Sequence, residues 1–222
     1  MRYTLENSGF AVEASFSEAN VREIFLPWLE RLTELRRRKG GRVLALLAAP
    51  PATGKSTLAA FLRHLSEITP GLCPLTAIGM DGFHHRQEYL LSHTVTRDGE
   101  AVPMARIKGA PITFDLESLR AAVARVATGE ELGWPRYDRN IHEPVPDALR
   151  VSGDLVLLEG NYLLLDEDGW RDLRDFADHT TFIEADPALL RGRVIDRHIA
   201  GGMTPEEAAR KADGFFIIVS VF

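Results

Sequence analysis

Between Ala49 and Thr57 the chain reads Ala-Pro-Pro-Ala-Thr-Gly-Lys-Ser-Thr. The run is close to the phosphate-binding pattern G-x-x-x-x-G-K-[ST]. A compact loop leading into a helix aims several backbone N–H groups at one point, and the helix N-terminus favours an anion there. Lys55 would add a positive charge for the outer phosphates, and Ser56 could place its hydroxyl on Mg²⁺. Pro51, Ala52, Thr53, Gly54, Lys55, Ser56 and Thr57 are therefore the expected ATP contacts. A chance Gly-Lys-Ser-Thr in a strand-to-helix turn is the bland alternative. Two carboxylates stand where such a loop would need them. Asp81, in Met80-Asp81-Gly82-Phe83-His84-His85, follows an apolar run. It could accept a hydroxyl proton, reach Mg²⁺ through water, or merely cap the next helix. Glu159, in Glu159-Gly160-Asn161-Tyr162, ends another apolar run. That is the general position of a carboxylate that holds the Mg²⁺ hydration shell.

Three further groups could do chemistry. Arg193 and Arg197 have i, i+4 spacing and share one helix face, so they could clamp phosphates, or they could lie exposed and paired within the helix. His84 and His85 are adjacent and point different ways, which disfavours joint metal binding. A polar pocket contact by His84 or simple exposure are the readings left. The stretch Trp134 to Glu143 brings together aromatic, cationic and imidazole groups. It reads as a loop stiffened by prolines. Tyr137, Arg139 and His142 are its candidate acceptor contacts, and the bland alternative is a surface loop packing Trp134 and Tyr137 on the core. Donors around a flat ring suit a polyhydroxylated molecule such as a hexose. Arg136 or Arg139 would instead suit an acceptor carboxylate.

Positioning these groups requires a particular scaffold. Val43–Ala48, Pro74–Gly79, Leu155–Leu158 and Thr180–Ile183 are apolar runs of strand length, and the continuously apolar first run fits a strand inside a parallel sheet. Helical patterns alternate with them at Ser56–Ser66, Asp115–Ala127, Pro187–Ile199 and Pro205–Ala212. Alternation of this kind predicts right-handed βαβ units in a doubly wound sheet with ligands at the carboxyl ends of the strands. An amphipathic helix is expected over about 18–39, bent at Pro27 and stopped by Gly40-Gly41. The helix from Pro187, the break at Gly201-Gly202 and the capping-box helix from Thr204 suit a mobile lid.

Composition narrows the function classes. The 222 residues are 45% hydrophobic and 26% charged, which is ordinary for a globular α/β domain. A formal net charge of -6 argues against a nucleic-acid binder. The basic run Arg36-Arg37-Arg38-Lys39 suits a solvated helix C-terminus. The single cysteine, Cys73, permits no intrachain disulfide and reads as a buried small side chain in a reducing, cytoplasmic compartment. No apolar stretch is long enough to span a bilayer and none opens the chain as a signal peptide would. The expected partner is a small-molecule hydroxyl acceptor, with no nucleic acid, no membrane, and a homodimer allowed. A switch or motor ATPase is disfavoured, because neither Asn-Lys-x-Asp nor Leu-Ser-Gly-Gly-Gln occurs.

The set Gly54-Lys55-Ser56-Thr57, Met80-Asp81-Gly82-Phe83-His84, Leu158-Glu159-Gly160-Asn161-Tyr162 and the Arg193/Arg197 stretch resembles the uridine kinase, phosphoribulokinase and pantothenate kinase superfamily. Gly109 to Asp115, Pro135 to Arg139 and His198 to Thr204 resemble its pantothenate-kinase-like branch labelled fructose transport system kinase. The resemblance covers roughly Arg42 to Asp213. It implies a single P-loop kinase domain over 1–222, a three-layer doubly wound α/β fold of P-loop NTPase type, and a helical lid at about 187–210. It implies ATP and Mg²⁺, with Asp81 as catalytic base, Lys55 as the phosphate lysine, Ser56 and Glu159 on the metal side, and Arg193 and Arg197 on the lid. The expected activity is phosphorylation of an alcohol group on a small metabolite, with a sugar such as fructose ahead of a pantothenate-like or nucleoside acceptor. A catalytically weak ATP-binding regulatory protein is the alternative of another class. Two departures stand out. Ala49 replaces the usual first glycine of the loop, with an expected loss of ATP affinity, and the chain ends in an apolar run, Phe215 to Phe222, expected to form a buried final strand.

Overall fold

The computed structural model describes residues 2–7, 10–97 and 99–219. An antiparallel hairpin comes first, β1 (Arg2–Asn7) with β2 (Phe10–Ser15). The helical run that follows is α1 (Glu18–Asn20), a π-turn over Val21–Phe25, and α2 (Leu26–Lys39). It occupies the expected 18–39, and the irregularity lies in the turn before Pro27. Proline has no N–H for the carbonyl four residues earlier and its ring crowds that carbonyl, so the turn ahead of it widens. Gly40 ends α2 in the left-handed conformation at φ 71°. The basic run forms its last turn, where Arg36 pairs with Asp154 and Lys39 with Asp178.

Next come β3 (Val43–Ala48), α3 (Lys55–Ile68), β4 (Leu75–Gly79), a 3-10 turn over Met80–Phe83 and α4 (Gln87–Ser92). A small hairpin, β5 (Thr94–Arg97) with β6 (Glu100–Pro103), leads by two 3-10 turns to α5 (Leu116–Ala127). A longer hairpin follows, β7 (Leu132–Asp138) with β8 (Glu143–Val151). The chain continues through β9 (Leu155–Gly160), β10 (His179–Phe182), α6 (Pro187–Ala200) and α7 (Pro205–Val219).

The central sheet has the order β10-β3-β9-β4, with every pairing parallel. Alternate residues of each strand enter different cores. Val43, Ala45 and Leu47 face Leu29 and Leu32 of α2 and Phe61, Leu62 and Leu65 of α3. Leu44, Leu46 and Ala48 face Leu119, Val123 and Val126 of α5, with Trp134 and Tyr162. These are the three layers of a doubly wound α/β fold. Among the described residues, no helix is long and apolar enough to cross a membrane. Cys73 is free and half-buried, less enclosed than its sequence context suggests.

Two segments differ from the sequence reading. Trp134 to Glu143 is not an irregular loop, since most of it is paired strand closed by a turn at 139–142. Its prolines fit because a two-stranded hairpin is all edge. The chain end is helical in α7 as far as Val219 rather than a strand, and the last part of that call, residues 220–222, lies outside the described residues.

One buried cation ties the scaffold together behind the sheet. Arg42 is 7% exposed and donates to the carbonyls of Gly153 and Glu130 at 2.7 and 2.5 Å. Replacing Arg42 by Met leaves those carbonyls without a donor. We expect the urea midpoint to fall by the equivalent of about 1–3 kcal/mol, and an unchanged midpoint would show that water takes over the contacts.

Candidate active site

The register of the sheet sets the site. In-register pairing places Glu159 between Leu47 of β3 and Gly79 of β4, so the residues after β3, β4 and β9 emerge at one edge. A side chain on Gly79 would have its Cβ 3.1 Å from Glu159 Oε1, so the carboxylate lies against bare backbone.

The loop after β3 runs into α3, whose first turn has no side-chain cap. Its free N–H groups are thus open to an anionic ligand. Ala49 is fully buried and hydrogen-bonds through its N–H to Gly160 at 3.3 Å. The loop's left-handed residues are Ala52, at φ 65°, and Gly54, at φ 90°. The missing first glycine therefore falls where no unusual backbone angle is needed. The strain instead sits at Ala52, at a cost of about 1–2 kcal/mol for a residue with a Cβ.

Three side chains meet at the edge. Ser56 Oγ donates to Glu159 Oε1 at 2.7 Å, and Lys55 Nζ lies 4.0 Å from Glu159 Oε2. The Lys55 and Glu159 side chains are 11% and 13% exposed. Burial pushes the Glu159 carboxyl above the usual carboxylate range and Asp81 adds to this, while Lys55, the Ser56 hydroxyl and Arg139 oppose it. Asp81 is half-buried and does not cap the next helix. The first amide of α4, on Gln87, takes Glu143 as its acceptor instead.

A cavity of about 410 Å³ opens beside this edge, with Ser56, Asp81, Tyr137, Arg139 and Glu159 in its wall. Its size is that of a small-molecule site. A second cavity of about 400 Å³ lies across Gly82 and Pro135. His84 lines this second cavity and not the first. Its Nδ1 donates to the Asp81 carbonyl at 2.8 Å and its ring lies 5.1 Å from that of Tyr137. Burial lowers the His84 pKa, which favours the uncharged ring, and Asp81 opposes this. His142 is exposed at the turn of the β7–β8 hairpin, at φ 55°, and lines neither cavity.

Both arginines of the expected lid keep exposed surface, and one of them touches the loop. Arg193 Nη1 donates to the carbonyl of Ala52 at 3.2 Å, directly on the loop. Arg197 feels the charges of Arg139 and Asp81, and its own pKa is lowered, first by withdrawal from water and then by Arg139. α7 extends past the expected lid boundary near 210, and Arg191 and Asp213 pair the two lid helices at 2.7 Å.

Lys108 escaped the sequence reading although it directly precedes the Gly109 to Asp115 segment. It donates to Gln87 Oε1 and to the His142 carbonyl, each at 3.1 Å, and stands 5.1 Å from the Tyr137 ring centroid. It thereby fastens the hairpin turn to α4. Arg63, on the helix after the loop, and Thr4, on β1, also line the first cavity and carry no motif signal.

No family model matches the chain. Escherichia coli YggC, an uncharacterized protein, is 38% identical over 94% of this chain and 84% of its own. A "putative uridine kinase" of Schizosaccharomyces pombe is 34% identical over 78% of this chain and 74% of its own. The chain belongs to the uridine kinase and pantothenate kinase family of P-loop kinases. A solved structure from Silicibacter sp. TM1040, a "putative fructose transport system kinase", superposes on this P-loop kinase with a TM-score of 0.72 at 29% identity, covering 86% of this chain and 91% of that one. The kinase fold thus accounts for the scaffold, and the loop, Asp81 and Glu159 fall at the strand ends where P-loop kinases carry their chemistry.

Gly82 holds the kinase site together at close range. A Cβ there would lie 2.2 Å from the Pro135 carbonyl oxygen and 2.9 Å from Arg136 N. Gly82→Ala must therefore push β7 away from the Asp81 turn. The expected result is a lower melting temperature together with at least a tenfold rise in acceptor KM. Wild-type KM in a folded variant would show that the hairpin position does not matter.

Proposed function

We propose that the chain transfers the γ-phosphoryl group of ATP to an alcohol group of a small metabolite, with a sugar as the favoured acceptor. The observation that carries the reading is the wall of the first cavity. It joins Ser56 and Glu159, next to the phosphate loop, to Asp81 and to the Tyr137 and Arg139 side chains of the hairpin. One space thus adjoins both a triphosphate site and groups able to hold a hydroxyl compound.

In this reading the free amides at the start of α3 and the Lys55 ammonium hold the phosphates. Asp81 accepts the acceptor's hydroxyl proton as the oxygen attacks phosphorus, and Arg193 and Arg197 bear on the charge that develops. Ser56 and Glu159 fit a magnesium ion, since one hydroxyl and one carboxylate suffice for a metal that draws its other ligands from phosphates and water. Bound there, the ion would neutralise phosphate charge. Tyr137 offers a ring face for stacking, and the arginines around it offer donors for hydroxyl groups. The name carried by the Silicibacter relative, a fructose transport system kinase, supports the sugar assignment.

The test is acceptor-dependent ADP formation from Mg-ATP with a panel of sugars, nucleosides and pantothenate. Asp81→Asn should lower kcat by about 10²–10⁴-fold with little change in ATP binding. Restoration of the rate by excess Mg²⁺ would instead make Asp81 a metal-side residue.

The raised Glu159 pKa sets a pH dependence. A raised value means that Glu159 takes up its proton earlier as pH falls, and only the ionised form serves the metal. The acid limb of kcat should therefore lie above the ordinary glutamate value of about 4.3. It should move to lower pH as Mg²⁺ is raised, because ion and proton compete for one carboxylate. A limb that ignores Mg²⁺ would remove Glu159 from the metal side.

A further inference from the structure

The second cavity, of about 400 Å³, has a wall that phosphoryl transfer in the first does not use. A short antiparallel pairing builds it. The Asp115 N–H donates to the Phe83 carbonyl at 2.8 Å and the His85 N–H to the Thr113 carbonyl at 3.0 Å, with His84 bridged to Phe114 between them. This pairing fixes an order along the wall. Asp115 is level with Phe83, His85 stands in the middle, and Arg86 follows at the far end. From Phe83 to Arg86 the extended chain covers about 10 Å.

The middle of the wall is the end of a ring stack. His93 stacks on Tyr89 with centroids 3.7 Å and planes 15° apart, and Tyr89 stacks on His85 at 4.1 Å and 26°. His85 and Tyr89 line the cavity and His93 does not, so the cavity sits at the His85 end. Among the described residues His85 has no second ring partner. A flat ligand ring can therefore continue the stack on the His85 face turned away from Tyr89. Pro135, Pro144 and Pro146 of the β7–β8 hairpin give the same cavity an apolar wall.

The two ends of this wall carry opposite charge. Arg86 lines the cavity, is exposed, and among the described residues is in no ion pair. Asp115 is half-buried, and each of its carboxylate oxygens accepts one bond, from Ser118 N at 3.0 Å and Ser118 Oγ at 2.7 Å. An ionised carboxylate has about four acceptor positions, so a further donor can be taken without loss of the helix cap. Burial lowers the His85 pKa and the Asp115 charge opposes this, so the carboxylate is within electrostatic reach of the ring. Side chains folding in from both ends leave room for one ring with a charged substituent at either end.

We propose that the second cavity binds a flat aromatic compound, one ring long, with an ammonium at one end and a carboxylate at the other. Its ring continues the stack on His85. Its ammonium donates to Asp115, and its carboxylate accepts paired hydrogen bonds from Arg86. The molecule also touches Gly82 and Pro135, the residues shared with the first cavity. The site needs no phosphoryl transfer in the first cavity and stands apart from that reading.

The test is an NMR-detected titration of the full chain with four probes of similar size. The first is para-(aminomethyl)benzoate, which has the ring and both charges. The second, para-methylbenzylamine, lacks the carboxylate, and the third, para-methylbenzoate, lacks the ammonium. The fourth is the trans-cyclohexane analogue of the first, with both charges and no flat ring. Each of the last three should bind about threefold or more weaker than the first. Arg86→Gln should abolish the preference over the amine, Asp115→Asn the preference over the benzoate, and His85→Leu the preference over the cyclohexane. Asparagine caps a helix as well as aspartate, so α5 keeps its start. Melting temperature reports that each variant folds, and where one does not, the four probes on the unchanged chain decide alone. No binding of the first probe at millimolar concentration, loss of any of the three preferences on the unchanged chain, or a preference that survives its matching substitution would overturn the proposal.

Discussion

The structure turns on a carboxylate that is almost out of water. Glu159 is held by the Ser56 hydroxyl on one oxygen and faced by Lys55 on the other. This single group joins the phosphate loop to the neighbouring strand. A buried charge is tolerable only when it is paired and hydrogen-bonded, and here the partners are an ammonium and a hydroxyl from the first turn of α3. The pairing needs space as well as charge. Gly79 in the adjacent strand provides it, because any side chain there would press on the carboxylate. The parallel register then carries Asp81 to the same edge two residues later.

The β7–β8 hairpin is the second constraint. Its strand β7 lies in backbone contact with Gly82, one residue from Asp81, and Trp134 donates to the Gly79 carbonyl at 2.8 Å. The hairpin is thereby locked to both ends of the turn that presents Asp81. Its far end is tied by Lys108 to α4. As a result β7 forms a partition, with one cavity on either side of Gly82 and Pro135. The side facing the loop holds Tyr137 and Arg139, and the other holds the two histidines.

The segment expected as a lid is a pair of helices. α6 brings Arg193 onto the backbone of Ala52, the strained position of the loop. α7 returns beside α6 and is fixed to it through Arg191 and Asp213. An arginine on the loop carbonyl would have a short path to the oxygen of a phosphate bound there. That contact engages Arg193 with the loop although the side chain keeps exposed surface.

The sequence by itself determined the parallel core strands, the helices between them, the phosphate loop and the two carboxylates. These are local matters. An apolar run bounded by glycine, a Gly-Lys-Ser-Thr at a strand-to-helix turn and an acidic residue at a strand end each keep their meaning whatever surrounds them. Hairpins were harder to read. Residues 2–7 and 10–15 pair as one although no strand was expected there, and the prolines of 134–146 disguised another, because pairing between strands is decided by partners rather than by propensity. The apolar chain end also misled, since a short apolar run does not distinguish helix from strand. Only the tertiary structure decided that His84 and His142 stay out of the first cavity while Arg63 and Thr4 enter it. It alone showed that Ala49 needs no glycine angles and that Ala52 adopts them. Which side chains share a cavity depends on strand register and on the contact at Gly82, and both join residues far apart in the chain.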